Sequence, residues 1–150
     1  MKVKDVMTPN PVCCRISDTA QTVAKMLRDS DIGSIPVLAD GGKLEGVITD
    51  RDLCCSIVAE GLDPKATQIE KWITRNPITC RASDSLERCE QAMAAHQVRR
   101  IPVVDESGRC IGIVAQADLA LKEEPNKVHT TVAKISQPSH HEPARPSQLA

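Results

Sequence analysis

The residues with the most chemical potential in this chain stand close together in the stretch Gly46-Val47-Ile48-Thr49-Asp50-Arg51-Asp52. An apolar run that gives way to a hydroxyl and, three residues later, a carboxylate reads as a strand running into the first turn of a helix. Such a junction offers an anion unpaired backbone N–H groups and the positive end of a helix dipole. Thr49 adds a hydroxyl, and Asp52 can accept hydrogen bonds from two neighbouring hydroxyls. A plainer role for the same pair is a helix cap with a first-turn acid. A second concentration of charge, Arg99-Arg100, precedes Ile101-Pro102-Val103. Guanidinium forks suit phosphate oxygens, whereas the plainer reading is a solvated strand start or ion pairs with another chain.

Seven cysteines, at 13, 14, 54, 55, 80, 89 and 110, are the other reactive groups. Their odd number, with no export signal, argues against a full disulfide framework, and most read as small buried hydrophobes. Adjacent cysteines on a strand point to opposite faces, so Cys13-Cys14 does not form the chelate of a zinc site. A thiol response in which Cys13 or Cys14 reaches across to another cysteine stays open. Catalysis finds no support: no glycine-flanked serine nucleophile, no His paired with Cys, no metal-ligand cluster. His96 at a helix end is explained by the favourable placement of a cation there. His140-His141 falls in a polar, Pro-rich stretch where no role is expected.

Bulk composition narrows the partners. The 150 residues carry 19 basic and 20 acidic side chains, a net charge of -1, so nothing global attracts a polyanion or an anionic membrane. There is no Phe or Tyr and a single Trp, so bases have no aromatic platform to stack on. No apolar run is long enough to span a bilayer and the N-terminal residues lack a signal-peptide core, which predicts a cytoplasmic protein without nucleic-acid or membrane partners.

The elements that must position these groups come in duplicate. Shifting the chain against itself by 66 positions lays residues 3–53 over 69–119 without a gap. Asn10-Pro11 then matches Asn76-Pro77, Ile35-Pro36-Val37 matches Ile101-Pro102-Val103, Gly46 matches Gly112, and Asp52-Leu53 matches Asp118-Leu119. Shared prolines, glycines and aspartates in one register mark an internal repeat. Each copy reads as β-α-β-β-α. In the first, strand 12–16 leads to a helix from Ala20 with apolar positions Val23, Ala24 and Leu27. A hairpin over 35–48 turns at Asp40-Gly41-Gly42, and a second helix stops at Gly61. In the second, strand 78–81, helix 85–95, strands 101–104 and 110–114, and a helix from 116 follow. The division is 1–61 for repeat one, 62–73 for a connecting segment with a short helix carrying Trp72, and 74–121 for repeat two. Residues 122–150, with Pro125, Pro138, Pro143 and Pro146, read as a mobile polar tail without a core.

A duplicated β-α-β-β-α unit with a Gly, two aliphatics, Thr, two variable residues and Asp at its third strand resembles the CBS domain, the regulatory unit named for cystathionine β-synthase. The likeness spans residues 3 to about 121. The stretches Asp31-Ile32-Gly33-Ser34-Ile35-Pro36, Glu60-Gly61-Leu62-Asp63-Pro64 and His96-Gln97-Val98-Arg99-Arg100 are similar to stand-alone bacterial two-CBS proteins of the hypoxic-response type. The resemblance implies an α/β fold in which the two repeats pack as a pseudo-two-fold pair, commonly dimerising into a disc. It implies a regulatory, non-catalytic module with AMP, ADP or ATP as candidate ligand and a downstream protein as reader. By the family's pattern, Thr49 and Asp52 hold ribose and phosphate with Arg51 at the rim. Ile78, Thr79 and Pro102 line the adenine side, and Arg99 and Arg100 face the phosphates. The mirror-image cleft, with Val12, Cys13, Pro36 and Asp118, is expected to be weaker, because Ala115 replaces the threonine and Gly33 and Ser34 replace the two arginines. The rival reading is an interaction module with a vestigial nucleotide site and a cysteine-based redox or assembly response.

Overall fold

The structure, a computed structural model, describes residues 1–138. Its elements run α1 (Val3–Val6), β1 (Thr8–Pro9), β2 (Cys14–Arg15), α2 (Ala20–Asp29), β3 (Ser34–Leu38), β4 (Leu44–Thr49) and α3 (Asp50–Leu53). They continue with β5 (Thr74–Arg75), α4 (Leu86–His96), β6 (Arg100–Val104), β7 (Cys110–Ala115), α5 (Gln116–Lys122) and α6 (Pro125–Ile135). The expected α/β architecture is present: two sheets, each carrying its own helices and its own apolar cluster.

One sheet has the order β2-β3-β4-β5 and the other β1-β7-β6. A parallel bridge from Cys80 to Val103 stands on the free edge of β6 and completes the correspondence between them. The two central hairpins share one register, with Ser34 opposite Thr49 and Arg100 opposite Ala115. Backbone specials repeat as well: Asn10 and Asn76 have φ of 48° and 49°, and Asp31 and Gln97 both 51°. Asparagine tolerates the left-handed conformation better than most residues, which explains its place before each proline.

The sheets are built crosswise. Residues 8 and 9 pair not with their own repeat but with β7, Thr8 against Ile113 and Pro9 against Gly112. Correspondingly β5 pairs with β4, Gly46 against Arg75 and Val47 against Thr74. The cores follow the exchange. Val3 and Val6 are buried among Leu86, Met93 and Leu119 of repeat two, and Ile69 is buried among Val23, Ile35 and Ile48 of repeat one. Matching hydrogen bonds fix both arms, Val3 N to Asp84 O at 3.0 Å and Ile69 N to Asp18 O at 3.1 Å. This arrangement explains the two signature glycines. A Cβ on Gly46 would lie 2.5 Å from the Thr74 carbonyl oxygen, and one on Gly112 2.5 Å from the Met7 sulfur.

Several expected elements take a different form. The strands expected over 12–16 and 78–81 shrink to Cys14–Arg15 and a single bridge at Cys80, because Asp18 and Asp84 turn back to accept from the Arg15 and Arg81 amides. The second helix of repeat one widens after Leu53 into a π-helical turn, Cys54–Val58, with Ile57 buried and Cys54 and Cys55 exposed. The short helix carrying Trp72 is a 3-10 turn, Ile69–Trp72. Ala24, read as a core position, is exposed.

The largest correction concerns the segment read as a mobile tail from 122. Pro125–Ile135 is a helix, with the proline at its first turn where no N–H is missed. Its Val128, Thr131 and Ile135 lie on one face against repeat two, and Ile135 joins that core. The Gln97 side-chain amide donates to the Gln137 carbonyl at 2.8 Å and ties the helix end down. The prolines at 143 and 146, His140-His141 and the remainder of the tail lie outside the described residues.

Candidate ligand site at the strand-to-helix junctions

At the end of β4 the backbone of Thr49 is extended, φ −115° and ψ 163°, and the next residue begins α3. The Thr49 hydroxyl oxygen accepts from the Asp52 amide at 3.0 Å, and the Asp52 carboxylate accepts from the Thr49 amide at 2.9 Å. This reciprocal pair is a capping box, so the plain reading of these residues holds as structure. It leaves chemistry over. Among the described residues the Thr49 hydroxyl donates to nothing, and Asp52 uses one carboxylate oxygen only. Both side chains are half-buried, which holds them in fixed rotamers while leaving one side open.

The corresponding junction of repeat two is half as complete. Asp118 accepts from the Ala115 amide at 2.7 Å, but Ala115 has no hydroxyl to return the bond to the Asp118 amide. The junctions differ again one residue on. Asp50 N donates to Gly33 O at 3.0 Å, and Gln116 N donates to Arg99 O at 2.8 Å. The small Gly33 leaves room beside the Asp50 carboxylate, where a Cβ would sit 3.4 Å from its oxygen.

The predicted ligand residues fall into two sets. Thr49, Arg51 and Asp52 stand together on the first turn of α3, with Arg51 exposed. Ile78, Thr79, Pro102, Arg99 and Arg100 gather along β6: the Cys80 amide, next to Thr79, donates to the Pro102 carbonyl at 3.1 Å, and both arginines project exposed from the strand start. No hydrogen bond or ion pair joins the two sets among the described residues. Of the weaker cleft, Pro36 is buried in β3, Cys13 and Asp118 are half-buried, and Val12 is exposed. Cys13 and Cys14 do point to opposite sides, Cys14 into the repeat-one core. There burial, reinforced by the Asp18 carboxylate, pushes its thiol up to about 12.

A hollow of about 580 Å³ lies elsewhere, on the outer face of repeat one between α2 and α3, over Leu27, Ile32, Leu53 and Val58 with Arg28 and Asp31 beside them. None of the predicted ligand residues lines it. Its only sequence signal is apolar residues off the core periodicity, Ile32 and Val58, the latter 72% exposed. Among the described residues no group of three or more His, Cys, Asp or Glu is placed to hold a metal ion, and no helix is long and apolar enough to cross a membrane.

Two β-α-β-β-α repeats, joined by exchanged arms and carrying the Gly46–Asp52 junction, define the class: the chain belongs to the CBS domain family, whose model matches residues 3–58 and 68–123. Within that family it is 34% identical over 140 residues to the CBS domain-containing protein YhcV of Bacillus subtilis, covering 93% of this chain and 98% of that one. Among solved structures it is similar to Hypoxic Response Protein I with two coordinated zinc ions, at 32% identity and a TM-score of 0.75, over 83% of this chain and 100% of the other. The CBS domain pair of protein MJ0100 in complex with 5-methylthioadenosine and S-adenosyl-L-methionine matches at 28% identity and a TM-score of 0.72, over 81% and 94%. CBSX2 in complex with AMP matches at 26% and 0.71, over 80% and 93%. The hypoxic-response-type resemblance read from the sequence is therefore shown. These stand-alone pairs are matched over nearly their whole length, as two-repeat modules.

Proposed function

We propose that this chain is a regulatory module that binds an adenine nucleotide, AMP, ADP or ATP, in the cleft served by the repeat-one junction. The observation that carries the reading is the Thr49–Asp52 capping pair, which fixes a hydroxyl and a carboxylate at the junction and leaves each with unused hydrogen-bonding capacity. The carboxylate oxygen is suited to ribose hydroxyls and the threonine hydroxyl to a phosphate oxygen. Ile78, Thr79 and Pro102 supply the apolar side for the base, Arg99 and Arg100 the charge for phosphate, and Arg51 a cation at the rim. The relatives with AMP, or with 5-methylthioadenosine and S-adenosyl-L-methionine, bound to the same fold support an adenosyl ligand. The mirror cleft is the weaker of the two, because its junction lacks the threonine and its strand start lacks both arginines.

The module acts in the cytoplasm as a homodimer and has no catalytic step of its own. A nucleotide that spans both repeats favours one relative orientation by its differential affinity for the two, and a downstream protein reads the result. Calorimetric titration of the reduced protein with AMP, ADP and ATP tests this. Saturable binding near one nucleotide per chain is expected, weakened at least roughly tenfold by Asp52→Ala or Arg100→Ala, since each removes a charge-assisted bond. Absence of binding by all three nucleotides to folded protein, or unchanged affinity in both variants, overturns the reading.

A further inference from the structure

The cleft that has lost its nucleotide-binding residues has gained a pair of thiols. The repeat offset carries Cys13 to Thr79 and Cys110 to Leu44, so the matching place in the other half of the repeat pair has no sulfur at either position. The backbone sets the two cysteines against each other. β1 is zipped onto β7 through Thr8–Ile113 and Pro9–Gly112, and Asn10 N continues the ladder to Ile111 O at 3.1 Å. The chain then turns at Pro11, which brings the Cys13 thiol beside that of Cys110, the first residue of β7. Each thiol also has a backbone acceptor, Pro11 O at 3.3 Å for Cys13 and Gly112 O at 3.4 Å for Cys110, which limits their rotation. Beside them the hairpin tips of the two repeats meet, Lys43 bridging Arg109 and Leu44 N donating to Gly108 O at 3.0 Å.

We propose that Cys13 and Cys110 form a reversible disulfide that ties the two repeats together across the weaker cleft. Both are half-buried, within reach of a small oxidant. The neighbouring Cys110 thiol holds Cys13 below the ordinary thiol value, while Cys13 and burial hold Cys110 above it, which makes Cys13 the attacking thiolate. The oxidant is a hydroperoxide. The Cys13 sulfur bonds to one peroxide oxygen, the O–O bond breaks, and the departing oxygen takes a proton and leaves as water or alcohol. The Cys110 sulfur then attacks the sulfenic sulfur, giving up its proton as the hydroxyl leaves as water. Two thiols have lost two electrons and two protons, and a dithiol reductant reverses the step by exchange.

The molecule contains its own control. Cys80 and Cys89 are likewise neighbouring thiols, but they sit inside the repeat-two core at 4% and 0% exposure, out of an oxidant's reach. The test is to treat the dilute, fully reduced full chain with hydrogen peroxide, read its intact mass, and map the linkage by peptide fragmentation that separates Cys13 from Cys14. The expected product is a monomer lighter by two hydrogen atoms and linked Cys13–Cys110. Its melting temperature should rise by roughly 5–15 °C because a long loop is closed, and fall back on reduction. Cys110→Ser should abolish the mass loss. A linkage that maps to Cys80–Cys89, to Cys54 or Cys55, or to Cys14 instead, or a Cys13 and Cys110 that stay alkylatable after peroxide, overturns the proposal. The outcome does not depend on nucleotide binding, so it stands or falls apart from the function proposed above.

Discussion

The two repeats descend to the same backbone but have been spent on different chemistry. Repeat one keeps the complete Thr49–Asp52 junction and, among the described residues, leaves its outer helical face bare, with a hollow over Ile32 and Val58. Repeat two keeps only the Asp118 half of its junction and covers the corresponding helix, α4, with α6. Conserved geometry with divergent side chains shows which positions the fold needs and which it leaves free. The left-handed asparagines, the signature glycines and the acid on the first helical turn are held in both copies, whereas the threonine, the arginines and the thiols are not.

The comparison breaks most sharply at the glycines. Gly46→Ala drives a Cβ into the Thr74 backbone oxygen, which cannot move without unpairing β5. Gly112→Ala meets first the Met7 sulfur, the end of a flexible side chain. Urea unfolding should show Gly46→Ala losing about 2–4 kcal/mol and Gly112→Ala clearly less. Equal losses would mean that the exchanged arms are not held with the tightness described. Next in size is the cover on repeat two. Ile135→Ala removes a core side chain that has no counterpart in repeat one and should cost about 2–3 kcal/mol, measured in the same way.

A smaller, reciprocal effect is expected at the junctions. Thr49→Ala should lose about 1 kcal/mol and Ala115→Thr should gain about half that or more, since one removes and the other installs an N-cap hydroxyl at matched backbone geometry. The smallest effect is electrostatic. Glu90, on α4 beneath α6, is mostly buried, and one of its oxygens has no hydrogen-bond partner among the described residues. Burial, followed by repulsion from Glu123 and Glu87 that Lys127 only partly offsets, holds its carboxyl above the usual range. The folded state therefore binds this proton more tightly than the unfolded state. Its contribution to stability is full below the ordinary carboxylate range and is lost as pH rises through the raised value. Glu90→Gln should flatten that decline and stabilise the protein by about 1 kcal/mol at neutral pH. Thermal melts of both proteins across mildly acid to neutral pH provide the check.

How much of this was legible in the sequence follows from what each signal depends on. The repeat, the hairpins and the capping pair are local patterns, and residues such as Asn10-Pro11 or Thr49–Asp52 announce their conformation to their immediate neighbours. The arm exchange is not local. An offset of 66 aligns Thr8 with Thr74 but is silent on whether each pairs with its own repeat or the other. The α6 helix was hidden by composition, because Pro125 counts toward disorder in a tally and toward a helix start in its actual place. The Cys13–Cys110 contact needed both the crossed arm and the turn at Pro11, so spacing alone left the partner cysteine open.

The crossed arms also set a timetable for synthesis. Thr8 waits for Ile113, so the strand that completes the second sheet is made before the other strands of that sheet and is seated only after them. At translation speeds of about 5–20 residues per second, that arm is without its partner for roughly 5–20 s. In that interval Val3 and Val6 have no core to enter. Repeat one can close earlier, once residues 69–75 have been made. A nascent chain at that stage holds every strand of the first sheet and, beside it, a strand still without its partner.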